Sequence, residues 1–189
     1  MPRPALQRLT PADPHWPGDI TARLGPDAPA QLTLLGSRAL LAARPRIAFL
    51  CSRACPAAAV LPALEALQAH RDRGDAVVSG FHSPLEREAL RLLLRGRSPI
   101  LIIAARALDR YTPPPAWREA LDEGRLLLLS PFTAEDHATV RDPRTARLRN
   151  RIVLALADER LIPHATPGAS LEEILRSFDA TRAPTLNAP

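Results

Sequence analysis

Residues 47–80 read IAFLCSRACPAAAVLPALEALQAHRDRGDAVVSG, and the reading of this stretch decides the fold. It opens on an unbroken apolar run, 47–51, too short for a helix and with no polar residue to turn toward water. Residues 56–71 follow, in which Ala58, Val60, Leu61, Leu64 and Leu67 recur at helical spacing. A second apolar run, 76–79, closes the stretch. Continuous apolar strands joined by an amphipathic helix are the parts of a parallel sheet covered on both faces.

The pattern extends in both directions. Toward the C-terminus, 84–95 reads as a helix with Leu85, Ala89, Leu92 and Leu93 inward and Arg87, Arg91 and Arg95 repeating every four residues on the opposite face. Strands are expected at 100–104 and 126–130, with a short helix at 116–123 between them. A helix over 145–158 carries Leu148, Ile152, Val153 and Leu156 on one side; a strand at 161–164, a helix at 170–178 and a last strand at 183–186 follow. Toward the N-terminus, 19–24 predicts a short helix, Gly25-Pro26 a turn and 31–35 a strand. The expectation is an α/β, three-layer domain with a mostly parallel sheet. Residues 1–45 are expected as an N-terminal extension packed on a main domain of 46–189.

Composition bounds the partner. Every one of the 25 basic residues is Arg, against 20 acids, for a net charge of +5 and a pI near 10.7. A coding bias explains Arg in place of Lys but not the surplus of base over acid, which favours an anionic partner. Arg presents a planar fork that matches phosphate oxygens. Aromatics are 4%, so the core is aliphatic and base-stacking platforms are scarce, Phe81 and Phe132 being the candidates. Cys51 and Cys55 form a lone CxxxC, short of the four ligands of a structural zinc site. With no apolar leader and no 18-residue apolar run, a cytoplasmic protein away from membranes is expected.

Ligands of open parallel sheets bind beyond the carboxyl ends of the strands, so function is sought in the residues just after each run. After 47–51 come Ser52 and Arg53 before a helix N-terminus, where backbone N–H groups and the helix dipole attract anions; an ordinary loop and helix cap is the alternative. The run 76–79 ends on Ser79-Gly80, with Gly80 allowing close approach to a ligand. Ser83 with Glu86 reads as a capping box. The late segment 141–151 holds Arg141, Arg144, Arg147, Arg149 and Arg151 with only Asp142 among them, an electropositive patch rather than a balanced helix face. No GxGxxG or GxxxxGK[ST] occurs. The five histidines show no ligand spacing; His82, with no orienting acid beside it, reads as a solvent-exposed loop residue. No cofactor, metal or catalytic residue is expected.

Taken in order, these residues resemble the DNA-processing protein A (DprA/Smf) family, a Rossmann-like group. The family's Gly-Ser-Arg stands here as Cys51-Ser52-Arg53, its Ser-Gly as Ser79-Gly80, and its Arg-Asn-Arg as Arg149-Asn150-Arg151 followed by an apolar run. Asp13-Pro-His-Trp-Pro resembles the family's lead-in. Cys51 replaces a glycine, Phe81–Glu86 departs from the family's Gly-Ile-Asp continuation, and the usual C-terminal winged-helix extension is expected to be missing. The resemblance implies a non-enzymatic single-stranded-DNA-binding protein, usually a homodimer, that assists uptake and recombination by passing DNA to a RecA-type recombinase. Together with the patch, it points to Ser52, Arg53, Ser79, Gly80, Arg147, Arg149, Asn150 and Arg151 as phosphate contacts. The alternatives are a binder of a small nucleotide-derived ligand in the same pocket and, more remotely, an enzyme cleaving nucleotide phosphoribosyl bonds, of whose Pro-Gly-Gly signature Pro167-Gly168 retains a fragment.

Overall fold

The computed structural model describes residues 5–136 and 142–180. The 183–186 strand, Arg141 and His137 lie outside them. The strands are β1 (Gln7–Leu9), β2 (Leu32–Gly36), β3 (Arg46–Phe49), β4 (Ala76–Ser79), β5 (Ile100–Ile103), β6 (Leu126–Ser130) and β7 (Glu159–Leu161). The helices are α1 (Gly18–Leu24), α2 (Ala57–Arg73), α3 (Pro84–Leu94), α4 (Arg118–Asp122), α5 (Pro143–Leu156) and α6 (Ser170–Ala180). Among the described residues, no helix is long and apolar enough to cross a membrane.

One sheet holds all seven strands in the order β1-β2-β6-β5-β4-β3-β7. The five strands from β6 to β7 pair in parallel, while β2 joins β6, and β1 joins β2, antiparallel. The expected mostly parallel α/β sheet is therefore present, and residues from the first 45 contribute two strands to it. From β3 the chain steps outward through β4, β5 and β6, then returns through α5 to lay β7 on the other side of β3. The strand order reverses between β3 and β7, which is where a doubly wound sheet opens a crevice.

The alternation of side chains along each strand divides the core in two. Leu101, Ile103, Leu127 and Leu129 join α1, α5 and α6 on one face, with Ile152, Ile174 and Phe178. Ile100, Ile102, Leu126 and Leu128 face α2, α3 and α4, with Leu67, Leu93 and Ala120. Strands apolar at every position are thus accounted for by helices on both sides, the three-layer arrangement the sequence predicts. In α3, Leu85, Ala89 and Leu93 are buried as expected; Leu90 is buried too, and Leu92 only partly.

Two local expectations need correction, and one strand is added to those expected. The 116–123 helix splits into a 3-10 turn, Pro115–Trp117, and the five-residue α4. The last parallel strand is Glu159–Leu161, ahead of the expected 161–164, in register with β3 from Ile47↔Glu159 to Phe49↔Leu161. Pro163 has no N–H to continue a ladder, although the Ser52 N–H still reaches the His164 carbonyl at 2.9 Å. The strand Gln7–Leu9 has no strong apolar pattern of its own and forms by pairing with β2.

The N-terminal segment also fixes α5, the helix that carries the late arginines. Arg23 of α1 donates to the carbonyls of Leu154, Ala155 and Ala157 at the C-terminal end of α5, where those oxygens have no helical partner. Arg46, fully buried, pairs with Asp19 of α1 at 2.5 Å, and its N–H donates to Asp158 at 2.8 Å. These bonds tie α1, β3 and the end of α5 into one unit.

Candidate anion-binding site

A cavity of about 830 Å³ opens at the switch point, lined by the loops after β3, β4 and β7 and by one side of α5. The first residues of three helices reach its wall: Ser83 before α3, Asp142 and Pro143 at α5, and Ala169 to Leu171 at α6. The positive ends of three helix dipoles therefore converge on the site, although several of the N–H groups there are capped within the chain, Ser83 N–H by Glu86, Arg144 N–H by Asp142 and Ala169 N–H by the Thr166 carbonyl.

The loops are held in place by polar bonds across long sequence distances. Ser52 Oγ accepts the Thr166 N–H at 2.9 Å, joining the β3 and β7 loops. Glu86, buried in the first turn of α3, accepts the N–H groups of Cys51 at 3.0 Å, His82 at 2.6 Å and Ser83 at 3.2 Å. The Ser83 Oγ accepts the Glu86 N–H in return, so the capping box is formed. Glu86 thus fastens the β3 loop to the β4 loop, and its charge is spent on backbone donors. Asp142 is similarly occupied, capping α5 through the Arg144 N–H at 2.8 Å. Cys51 is buried in the α2–α3 core; burial, with Cys55 alongside, pushes its thiol up to about 12.

The cationic groups on the wall are Arg53, Arg87 and Arg149, with His82 among them. Arg53 is exposed and meets no carboxylate within ion-pair distance among the described residues. Arg87 donates from Nε to the His82 carbonyl at 3.1 Å. Arg149 is 6% exposed, and its Nε donates to Asn150 Oδ1 at 3.0 Å. Burial pushes the Arg149 guanidinium below its ordinary range, with Glu86 the opposing attraction. A buried cation held by one neutral amide is incompletely compensated, and a phosphate in the cavity would complete it.

The eight sequence candidates divide. Ser52, Arg53, Arg149 and Asn150 stand on the cavity wall. Ser79 is fully buried and its Oγ accepts the Phe81 N–H at 3.0 Å, closing the turn after β4. Gly80 lies under Arg149: a Cβ there would sit 2.5 Å from Nε and 2.6 Å from Cδ. Arg147 pairs with Glu173 at 2.9 Å and Arg151 with Asp27 at 2.9 Å, both away from the wall. Sequence reasoning missed His82, Glu86, Arg87 and Thr166 as wall residues. His82 is half-buried, not a solvent-exposed loop residue, because Phe81 turns the chain with φ 49° and places it against the cavity. Phe81 and Phe132 are 7% and 9% exposed, core residues rather than stacking platforms.

A sequence profile of the DNA recombination-mediator protein A family matches residues 7–170, which includes every element from β1 into α6. The chain belongs to this family. No curated protein matches. Among solved structures, DNA processing protein A (DprA) from Streptococcus pneumoniae superposes with a TM-score of 0.76 at 20% identity, over 94% of this chain and 60% of that one. DNA processing protein A from Helicobacter pylori, described for its single-stranded DNA binding mode, gives 0.71 at 18% identity, over 96% and 79%. These likenesses establish a DprA fold, and the chain spans about three-fifths of the Streptococcus pneumoniae protein.

The geometry of this cavity sets two expectations for a phosphate-bearing ligand. Gly80→Ala is expected to displace the Arg149 guanidinium, lowering the affinity for any phosphate-bearing ligand seated there, an oligonucleotide probe included, on the order of tenfold by loss of one charge-assisted bond, as fluorescence anisotropy would read. His82 is held below its ordinary 6.5 by burial first and then by Arg149, with Arg87 and Arg53 adding to it. Its protonation therefore opposes folding: the stability is present above about pH 6.5 and is lost as pH falls below it, where the unfolded chain binds the extra proton. A bound phosphate favours the protonated ring, so affinity should rise between pH 7.5 and 5.5, both values chosen to bracket the ordinary imidazole range. Oligonucleotide titrations at the two pH values check this, and His82→Gln should flatten the difference.

Proposed function

We propose that this chain binds single-stranded DNA without catalysing a reaction on it, seating backbone phosphates in the switch-point cavity. The observation that carries this is Arg149: a guanidinium buried at the floor of an open cavity, with no carboxylate within ion-pair distance among the described residues, with Arg53 and Arg87 at the same rim and three helix N-termini around it. Family membership and the fold shared with a single-stranded-DNA-binding relative support the choice of DNA over other phosphates. In the setting of a recombination mediator, the chain would hold the DNA in the cytoplasm for a RecA-type recombinase during uptake and recombination, working as a homodimer.

Titration of an oligonucleotide at two salt concentrations tests the reading. Each phosphate neutralised contributes a slope of about −0.7 in log K against log salt. Arg53→Ala should weaken binding to all sequences alike and lower the slope by about that amount. Salt-independent or absent binding defeats the proposal. The cavity volume also suits a mononucleotide, and stabilisation in a thermal melt by a mononucleotide but not by an oligonucleotide would favour a small-ligand binder instead.

A further inference from the structure

We propose that the outer face of α3 is a track that carries the DNA away from the cavity, with Arg87, Arg91 and Arg95 contacting successive phosphates. The inference rests on the cavity reading above and adds the path and a minimum length for the ligand.

The three arginines are exposed and four residues apart, on one side of α3 and at its C-terminal cap. Four residues advance about 6 Å along a helix axis, a step comparable to that between phosphates on an extended single strand. Arg87 belongs to both features: it lines the cavity and begins the row, so the row is continuous with the site. Helix stability accounts for only part of it. Cations near the C-terminal end, Arg91 and Arg95, complement the helix dipole, but Arg87 lies just after the first turn, where a positive charge is disfavoured. The acid within this row is Glu88, which pairs with Arg91; an exposed pair of this kind is weak enough for a phosphate to compete with it. Arg97, also exposed, lies two residues beyond the helix cap.

The test compares two probes, a 5′-phosphorylated dinucleotide that fills only the cavity and a long oligothymidylate. Arg91→Ala combined with Arg95→Ala should leave dinucleotide affinity unchanged. The same variant should weaken the long probe on the order of tenfold at low salt and reduce its salt slope by about 1.4, two phosphates at about 0.7 each. Arg8→Ala with Arg176→Ala, which removes the same charge from strand β1 and helix α6, should affect neither probe specifically. Equal affinity and slope for the long probe in wild type and the α3 variant would overturn the track and leave the cavity reading standing. Equal losses in the α3 and control variants would overturn it as well, reducing the effect to net charge. Failure of the wild type to bind either probe would defeat the cavity reading, and the track with it.

Discussion

Arg149→Met should weaken oligonucleotide binding on the order of 100-fold while leaving the protein as stable as before or more so. The substitution keeps an unbranched apolar stem over Gly80 and removes only the charged fork. On the ligand side, it deletes the buried cation at the cavity floor, where a charge-assisted bond to phosphate is short and poorly screened; a loss on the order of 100-fold is expected, about 2.7 kcal/mol. On the stability side, Arg149 is desolvated with Asn150 as its side-chain hydrogen-bond partner. Replacing an imperfectly compensated buried charge by an apolar group of similar size is often neutral or favourable, by about 1–2 kcal/mol. Glu86, which attracts Arg149, keeps its three backbone donors and limits the gain. Anisotropy and a denaturant melt on the same sample measure the two sides. If Arg149 is a structural residue, the melt should shift down together with the binding.

Glu86→Ala is expected to give the largest loss of stability. Its carboxylate accepts N–H groups from Cys51, His82 and Ser83, two of them, Cys51 and Ser83, in buried residues. Hydrogen bonds to a charged acceptor contribute about 1.5–3 kcal/mol each, and a buried donor left without a partner costs about as much. A destabilisation on the order of 4 kcal/mol follows, a large share of the margin of a domain this size. Ligand affinity should fall in parallel, because the loops bearing Arg53 and His82 would no longer be tied together. Chemical denaturation of Glu86→Ala and Glu86→Gln checks the assignment: Gln preserves one acceptor oxygen and should recover part of the loss, whereas a purely steric role would leave Gln near wild type.

Much of the fold was legible because the signal is local. Runs such as 100–103 and 126–129 are apolar at every position, and only a sheet covered on both faces can bury both sets of side chains. The helix α3 shows its burial in its own spacing and its start in the Ser83–Glu86 capping box. Where the local signal is weak the reading failed: Gln7–Leu9 becomes a strand only through β2, and the boundary of β7 is set by register with β3. The site was legible only in part. Ser52, Arg53, Arg149 and Asn150 fall on the cavity wall, yet neighbours of the same chemical type do not.

By itself, then, the sequence determined the layers of this protein, the strand ends at which a ligand could sit and the excess of arginine, since each depends on neighbours within a turn or a strand. Which arginines remain available was decided by the tertiary structure. Arg151 is engaged by Asp27, 124 residues away, and Arg147 by Glu173, 26 away, while Arg149 between them turns into the cavity over Gly80. Glu86 likewise gained its principal role from Cys51, 35 residues earlier. Pairing energies depend on distance in space, and only the folded chain sets which charges meet.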